Sequence, residues 1–100
     1  MTRASVVLKS ENMEDRCFYV HCDGYPAHMV PHLTTIIKGV GVDPTTLGEV
    51  LENAFEDMVE HPTADSDFIY VIDTYKRIIQ THDARWDICD THGLLRVDTI

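Results

Sequence analysis

One hundred residues is the length of a single ordinary domain, enough to bury one core without help from disulfides or a metal, and residues 1–100 are read as one domain. Seventeen acids against eight bases give a net charge of −9, and Lys76-Arg77 is the only adjacent basic pair, so a phosphate backbone would be repelled and direct nucleic-acid binding is excluded. No apolar run approaches the roughly 18 residues of a membrane-spanning helix and no basic-then-apolar leader opens the sequence, so the expectation is a cytoplasmic protein without membrane contact.

Residues 3–9 read as a strand, with Val6 and Leu8 on one side and Ser5, Val7 and Lys9 on the other. Residues 10–15 are polar and close a hairpin. The return strand spans residues 16–22, with Phe18, Val20 and Cys22 on the face expected to meet the core. Asp23-Gly24 then supplies a sharp reversal, in which Gly24 is expected at φ > 0, and Pro26 suits a first helical position. Met29, Leu33, Ile36, Ile37 and Val40 recur at helical spacing, but Pro31 is poorly tolerated deep in a helix. The regular helix is therefore expected to begin at about Pro31 and to stop over residues 39–41.

A second helix opens at Asp43-Pro44, or at Thr46 with Glu49 as a capping box. Leu47, Val50, Leu51, Ala54, Phe55, Met58 and Val59 form an apolar stripe over three turns, which His61-Pro62 ends. A polar loop over residues 63–67 follows. Strands are expected over residues 68–73 and 77–81, with further short strands over residues 85–89 and 94–97. The order is β-β-α-α-β-β with one or two more strands, an α+β fold in which two helices lie on one face of an antiparallel sheet. Cys17, Cys22 and Cys89, odd in number and without a Cys-x-x-Cys pair, are read as reduced core thiols.

No Gly-rich phosphate loop or nucleophile motif is present, and neither a catalytic residue nor a cofactor is assigned. His21, Asp23, His28 and His32 place four possible metal ligands inside twelve residues, and the two helical histidines would share a face if the helix began early enough. Pro31 between them and the lack of a His-Glu-x-x-His or cysteine pair argue against a metal site. Asp23 has a structural role available as a turn residue. Two His-x-Thr triplets, at His32 and His61, have the form used by two-histidine phosphoesterases, but one falls on a helix and the other in a proline loop. A metal-binding or hydrolytic module centred on His21, Asp23, His28 and His32 is the alternative reading.

The acids of the second helix carry the leading reading. Glu49, Glu52, Glu56, Asp57 and Glu60 lie opposite the apolar stripe without a lysine or arginine among them, and Asp65 and Asp67 extend the patch. Glu52, Glu56 and Glu60 at i, i+4 and i+8 repel by about 0.2–0.5 kcal/mol per pair, a cost that helix stability alone would not select. Glu56, Asp57 and Glu60 also crowd the end of the helix that the macrodipole makes negative. Such a face suits a host protein with a basic surface.

The run Tyr19-Val20-His21-Cys22-Asp23-Gly24-Tyr25-Pro26 resembles the Y-V-H-W-D-G-Y-P motif of a family of small uncharacterised phage and prophage proteins, with Cys22 in place of tryptophan. His21, Asp23, Gly24, Tyr25 and Pro26 are read as its structural core. The resemblance implies a phage context, where small acidic proteins such as anti-CRISPR inhibitors block a host machine, some by imitating the charge of DNA. The expected function is thus a non-enzymatic inhibitor of a host defence or nucleic-acid-handling protein, acting in the host cytoplasm. A homodimer joined through sheet edges or apolar surface is a further alternative.

Overall fold

Val6-Val7-Leu8 and Ile69-Tyr70-Val71-Ile72 are apolar without alternation, the pattern of strands covered on both faces. In the computed structural model, which describes residues 2–11, 13–55, 57–63, 65–84 and 93–100, they form the two central strands of the sheet. The elements are β1 (Ala4–Lys9), β2 (Arg16–Val20), α1 (Pro26–Val40), α2 (Pro44–Phe55), β3 (Asp57–Val59), β4 (Phe68–Asp73), β5 (Ile78–Asp83) and β6 (Leu94–Thr99). The six strands are ordered β3-β2-β1-β4-β5-β6. Every pairing is antiparallel except β1 with β4, which run parallel with Val6 opposite Tyr70 and Leu8 opposite Ile72. The α+β class is as read from the sequence; the sheet is mixed because the chain crosses over both helices and β3 before returning beside β1.

One face of the sheet carries the helices. Val6, Leu8, Phe18, Val20, Tyr70, Ile72 and Ile79 pack there against Met29, Val30, Leu33 and Ile37 of α1 and Leu47 and Leu51 of α2. The opposite face buries Val7, Cys17, Ile69 and Val71, with Val59 and Ala84 at the margin. The polar segment after β3 is tied to this second face. Ser5 and Ser66 share a hydroxyl bond of 2.7 Å, Thr63 Oγ1 meets the Ser66 hydroxyl at 2.8 Å, and the Thr63 N–H donates to Ser5 Oγ at 3.2 Å. Each buried hydroxyl of this cluster therefore has a partner, which removes the desolvation cost of covering them.

Three local expectations change. First, α1 starts at Pro26 and runs through Pro31. The Tyr25 carbonyl closes the first turn by accepting from His28 N and Met29 N at 3.1 and 3.0 Å. An interior proline costs about 3 kcal/mol, but burying Met29 and Val30 returns about 1.5–3 kcal/mol each, and Ala27 and Pro31 lie on the exposed side, where water can serve the bereft carbonyl. The C-terminus is as expected, with Gly41 at φ 92° donating to the Ile37 carbonyl at 2.7 Å.

Second, α2 ends at Phe55 instead of continuing to Val59. Residues 57–59 become β3, pairing Tyr19 with Asp57, Phe18 with Met58 and Cys17 with Val59, and thereby complete the backbone hydrogen bonds of β2 on its outer side. Met58, read from the stripe as core, is half exposed, whereas Phe55 packs against the core.

Third, the left-handed residue of the reversal is Asp23, at φ 57°, and not Gly24. Gly24 serves another purpose: a Cβ there would lie 2.8 Å from Ala4 Cβ and 3.0 Å from the Arg3 carbonyl carbon. Its N–H donates to the Thr2 carbonyl at 3.0 Å, and the buried Tyr70 hydroxyl donates to its carbonyl oxygen. Burial pushes the Tyr70 phenol well above its ordinary value, so it stays protonated as that donor. β2 also stops at Val20, which leaves Cys22 exposed instead of buried, while Cys17 is buried as expected. Cys89, and with it the strand expected over residues 85–89, lies outside the described residues.

Candidate functional site

The ending of α2 redistributes the acids that had formed one helical face. Glu49 and Glu52 stay exposed on α2, but Asp57 stands on β3, Glu60 follows that strand, and Asp65 and Asp67 lie in the segment leading to β4. Glu56 lies outside the described residues. Three of the acids have close partners. Asp57 is hydrogen-bonded to His21 Nε2, Asp65 accepts from the Tyr19 hydroxyl at 2.9 Å and meets Arg3 at 3.5 Å, and Asp67 accepts from the Arg3 backbone N–H at 3.0 Å. Hydrogen bonds from Thr63 and Tyr19, then the nearby Arg3 charge, hold the Asp65 carboxyl below its usual range.

The same rearrangement builds a groove at the β3 edge of the sheet, with a volume of about 750 Å³. The turn before β2 supplies Met13, Glu14, Asp15 and Arg16, and β3 with the residue after it supplies Met58, Val59 and Glu60. Met13 is 41% exposed and Met58 50%, so two flexible, polarisable side chains lie open to solvent. Glu14, Asp15 and Glu60 are exposed beside them. Arg16, the base among the groove's described residues, is drawn back across α2: its guanidinium occupies the space a Cβ on Gly48 would need. Of this groove the sequence reading had named only Glu60 as a binding residue. The missed signal was the repetition of one pattern, methionine flanked by acids, at Met13-Glu14-Asp15 and at Asp57-Met58 with Glu60, in two segments that the fold brings together.

The histidines meet elsewhere. Because α1 begins at Pro26, His28 and His32 fall on one face with rings stacked 5.7 Å apart and inclined by 19°, and His32 meets the edge of Phe55 at 6.0 Å. Both line a cleft of about 230 Å³ with Tyr19, His21, Cys22 and Asp23. The His21 ring stands edge-on to Tyr19 at 4.6 Å, so Asp57 and Tyr19 together set its orientation. Among the described residues, no three His, Cys, Asp or Glu side chains come close enough to hold a metal ion together. His61, the second of the two His-x-Thr positions, faces the carbonyl of Pro62 at 3.3 Å and is not part of the cleft.

Among the described residues no helix is long and apolar enough to cross a membrane. Comparison of the chain with protein-family models, with curated proteins and with solved structures finds no match.

Proposed function

We propose that this chain is a non-enzymatic binding protein whose acid-rimmed methionine groove receives a basic, partly apolar segment of a host protein. The observation that carries the reading is the juxtaposition of half-exposed Met13 and Met58 inside the rim of Glu14, Asp15 and Glu60. Methionine supplies adaptable apolar contact, and the carboxylates favour lysine and arginine over other partners. The net charge of −9 steers such a partner toward the molecule before contact. A host defence or nucleic-acid-handling protein, reached in the host cytoplasm, carries a basic surface of the required kind, and occupying that surface would inhibit it as an anti-CRISPR protein does. The resemblance of Tyr19 to Pro26 to phage proteins supports this choice of partner.

The test begins with affinity capture from the host and continues with binding kinetics on the partner recovered. Glu14→Lys with Glu60→Lys should leave folding intact, weaken binding at least tenfold and remove most of its dependence on salt, since rim charges act chiefly on the association rate. Glu49→Lys with Glu52→Lys, on α2 and outside the groove, should change binding far less. Equal losses in the two pairs would refute the groove and leave only general charge attraction.

A second reading is favoured by one observation, the convergence of His21, Asp23, His28 and His32 on one cleft. It makes the cleft a ligand site, and a metal site only if the four side chains draw closer together than they stand here. Titration with zinc, followed by calorimetry, decides it: stoichiometric binding that His28→Ala with His32→Ala abolishes would promote this reading, and its absence would retire it.

A further inference from the structure

β6 ends the sheet opposite β3, and among the described residues no strand pairs with its outer edge. Leu95 is 54% exposed and Val97 50%, in a strand of six residues, Leu94–Thr99. Long edges with apolar side chains are templates for pairing, and natural proteins commonly blunt them with charge. Here the charges are of opposite sign and two residues apart: Arg96 Nε donates to Asp98 Oδ2 at 2.8 Å and a terminal guanidinium nitrogen to Oδ1 at 2.7 Å, on the same side of the strand.

The direction of the edge groups follows from the ladder. The Ile100 N–H donates to the Arg77 carbonyl at 2.9 Å, beside the register Ile78 to Thr99, Ile79 to Asp98 and Gln80 to Val97. In an antiparallel pair hydrogen-bonded and non-hydrogen-bonded positions alternate, so Asp98 bonds β5 while the N–H and C=O of Val97 and Thr99 face outward.

We infer that β6 pairs with β6 of a second copy of this chain across a twofold axis at Val97, making one continuous sheet. Register is selected by charge. Centring on Val97 sets each Arg96 opposite the other copy's Asp98, in the close non-hydrogen-bonded position, and Leu95 opposite Thr99. Centring on Arg96 or on Asp98 sets like charges face to face, which is destabilising. The Val97 backbone groups then exchange hydrogen bonds with their symmetry mates, and the two ion pairs join into an alternating ring of four charges. Two chains of net charge −9 repel, but at about 0.15 M salt the Debye length is about 8 Å, so the bulk repulsion is screened while contact pairs persist. The dimer leaves the methionine groove at the opposite edge open, so it stands or falls independently of the proposed function.

Sedimentation equilibrium on the whole chain over a concentration series tests this, with circular dichroism as the folding control. The wild type should reach a dimer and stop there. Arg96→Asp and Asp98→Arg, each placing like charges opposite, should weaken association about tenfold or more, and the double swap should restore it. Val97→Pro removes an outward N–H without touching the β5 ladder and should give a folded monomer. A wild type that stays monomeric throughout overturns the proposal, as does a folded single-charge variant or Val97→Pro variant that dimerises like the wild type.

Discussion

The β2–α1 junction and the segment from β3 to Asp67 both adjoin β2, yet they are held in opposite ways. At the junction, Gly24 presses on β1 and is gripped by the buried Tyr70 hydroxyl, so main chain and core are in direct contact. The later segment is joined to the sheet by one edge pairing, main-chain bonds at Asp67 to Arg3 and Ala84, and a set of hydroxyl and carboxylate bonds, with Met58, Glu60 and Asp65 open to solvent. A junction with no spare volume constrains the fold, whereas an open edge leaves side chains available for recognition. Substitutions at the first should therefore cost stability and substitutions at the second should cost binding.

The largest effect is expected at Gly24. Gly24→Ala forces its Cβ against Ala4 Cβ and Arg3 backbone, neither of which is the far end of a flexible side chain, and overpacking of this kind costs about 1–3 kcal/mol. Chemical denaturation measures it. An unchanged midpoint would show that β1 and the junction separate easily and would dissolve the contrast between the regions.

Tyr70→Phe comes next. The ring remains, but the buried Gly24 carbonyl loses its donor, for an expected loss of about 1–2 kcal/mol. Hydrogen exchange sharpens the point, because the Gly24 amide should exchange faster if the Tyr70 bond holds the turn. Val59→Ala, at the margin of the second face, should cost about 1 kcal/mol, and Glu60→Lys beside it less than about 0.5 kcal/mol. A larger cost at Glu60 would mean that the rim is structural, against its assignment to binding.

Acid separates a core group from the later segment. His82, 4% exposed, has among the described residues no partner for Nδ1 and a 3.4 Å contact from Nε2 to Gln80, and burial pushes its pKa below the ordinary 6.5. The folded state thus binds this proton less readily than the unfolded one, so the contribution of neutral His82 is intact above pH 6.5 and is lost as pH falls below it. His82→Gln should remove the loss of stability that sets in as pH falls below 6.5. The smallest effect belongs to Asp65, whose lowered pKa gives a contribution present above its ordinary 3.8 and lost as pH falls through the lower folded value. Asp65→Asn should remove that acid limb and leave the neutral region unchanged. A reversed assignment of the two limbs would break the distinction between buried core and open segment.

What depends on neighbours along the chain could be read from the residues alone. Strands β1, β2, β4, β5 and β6, the stop at Gly41, the apolar stripe of α2 up to Phe55 and the α+β class were legible because alternation, helical spacing and turn chemistry are local properties. Even the early end of α2 had left a trace, since Asp57 and Glu60 sit where a helix C-terminus disfavours acid, although Met58 and Val59 continued the apolar period and outweighed that trace. Tertiary structure decided the rest. It gave Gly24 its reason for being glycine through contact with β1, and it carried α1 across Pro31 by burying Met29 and Val30. It also turned residues 57–59 into a strand because β2 needed a partner, which broke the acidic face of α2 and set Met58 and Glu60 beside Met13 and Glu14. Contacts between segments distant in the chain have no period to reveal them, and only the closed sheet brings them together.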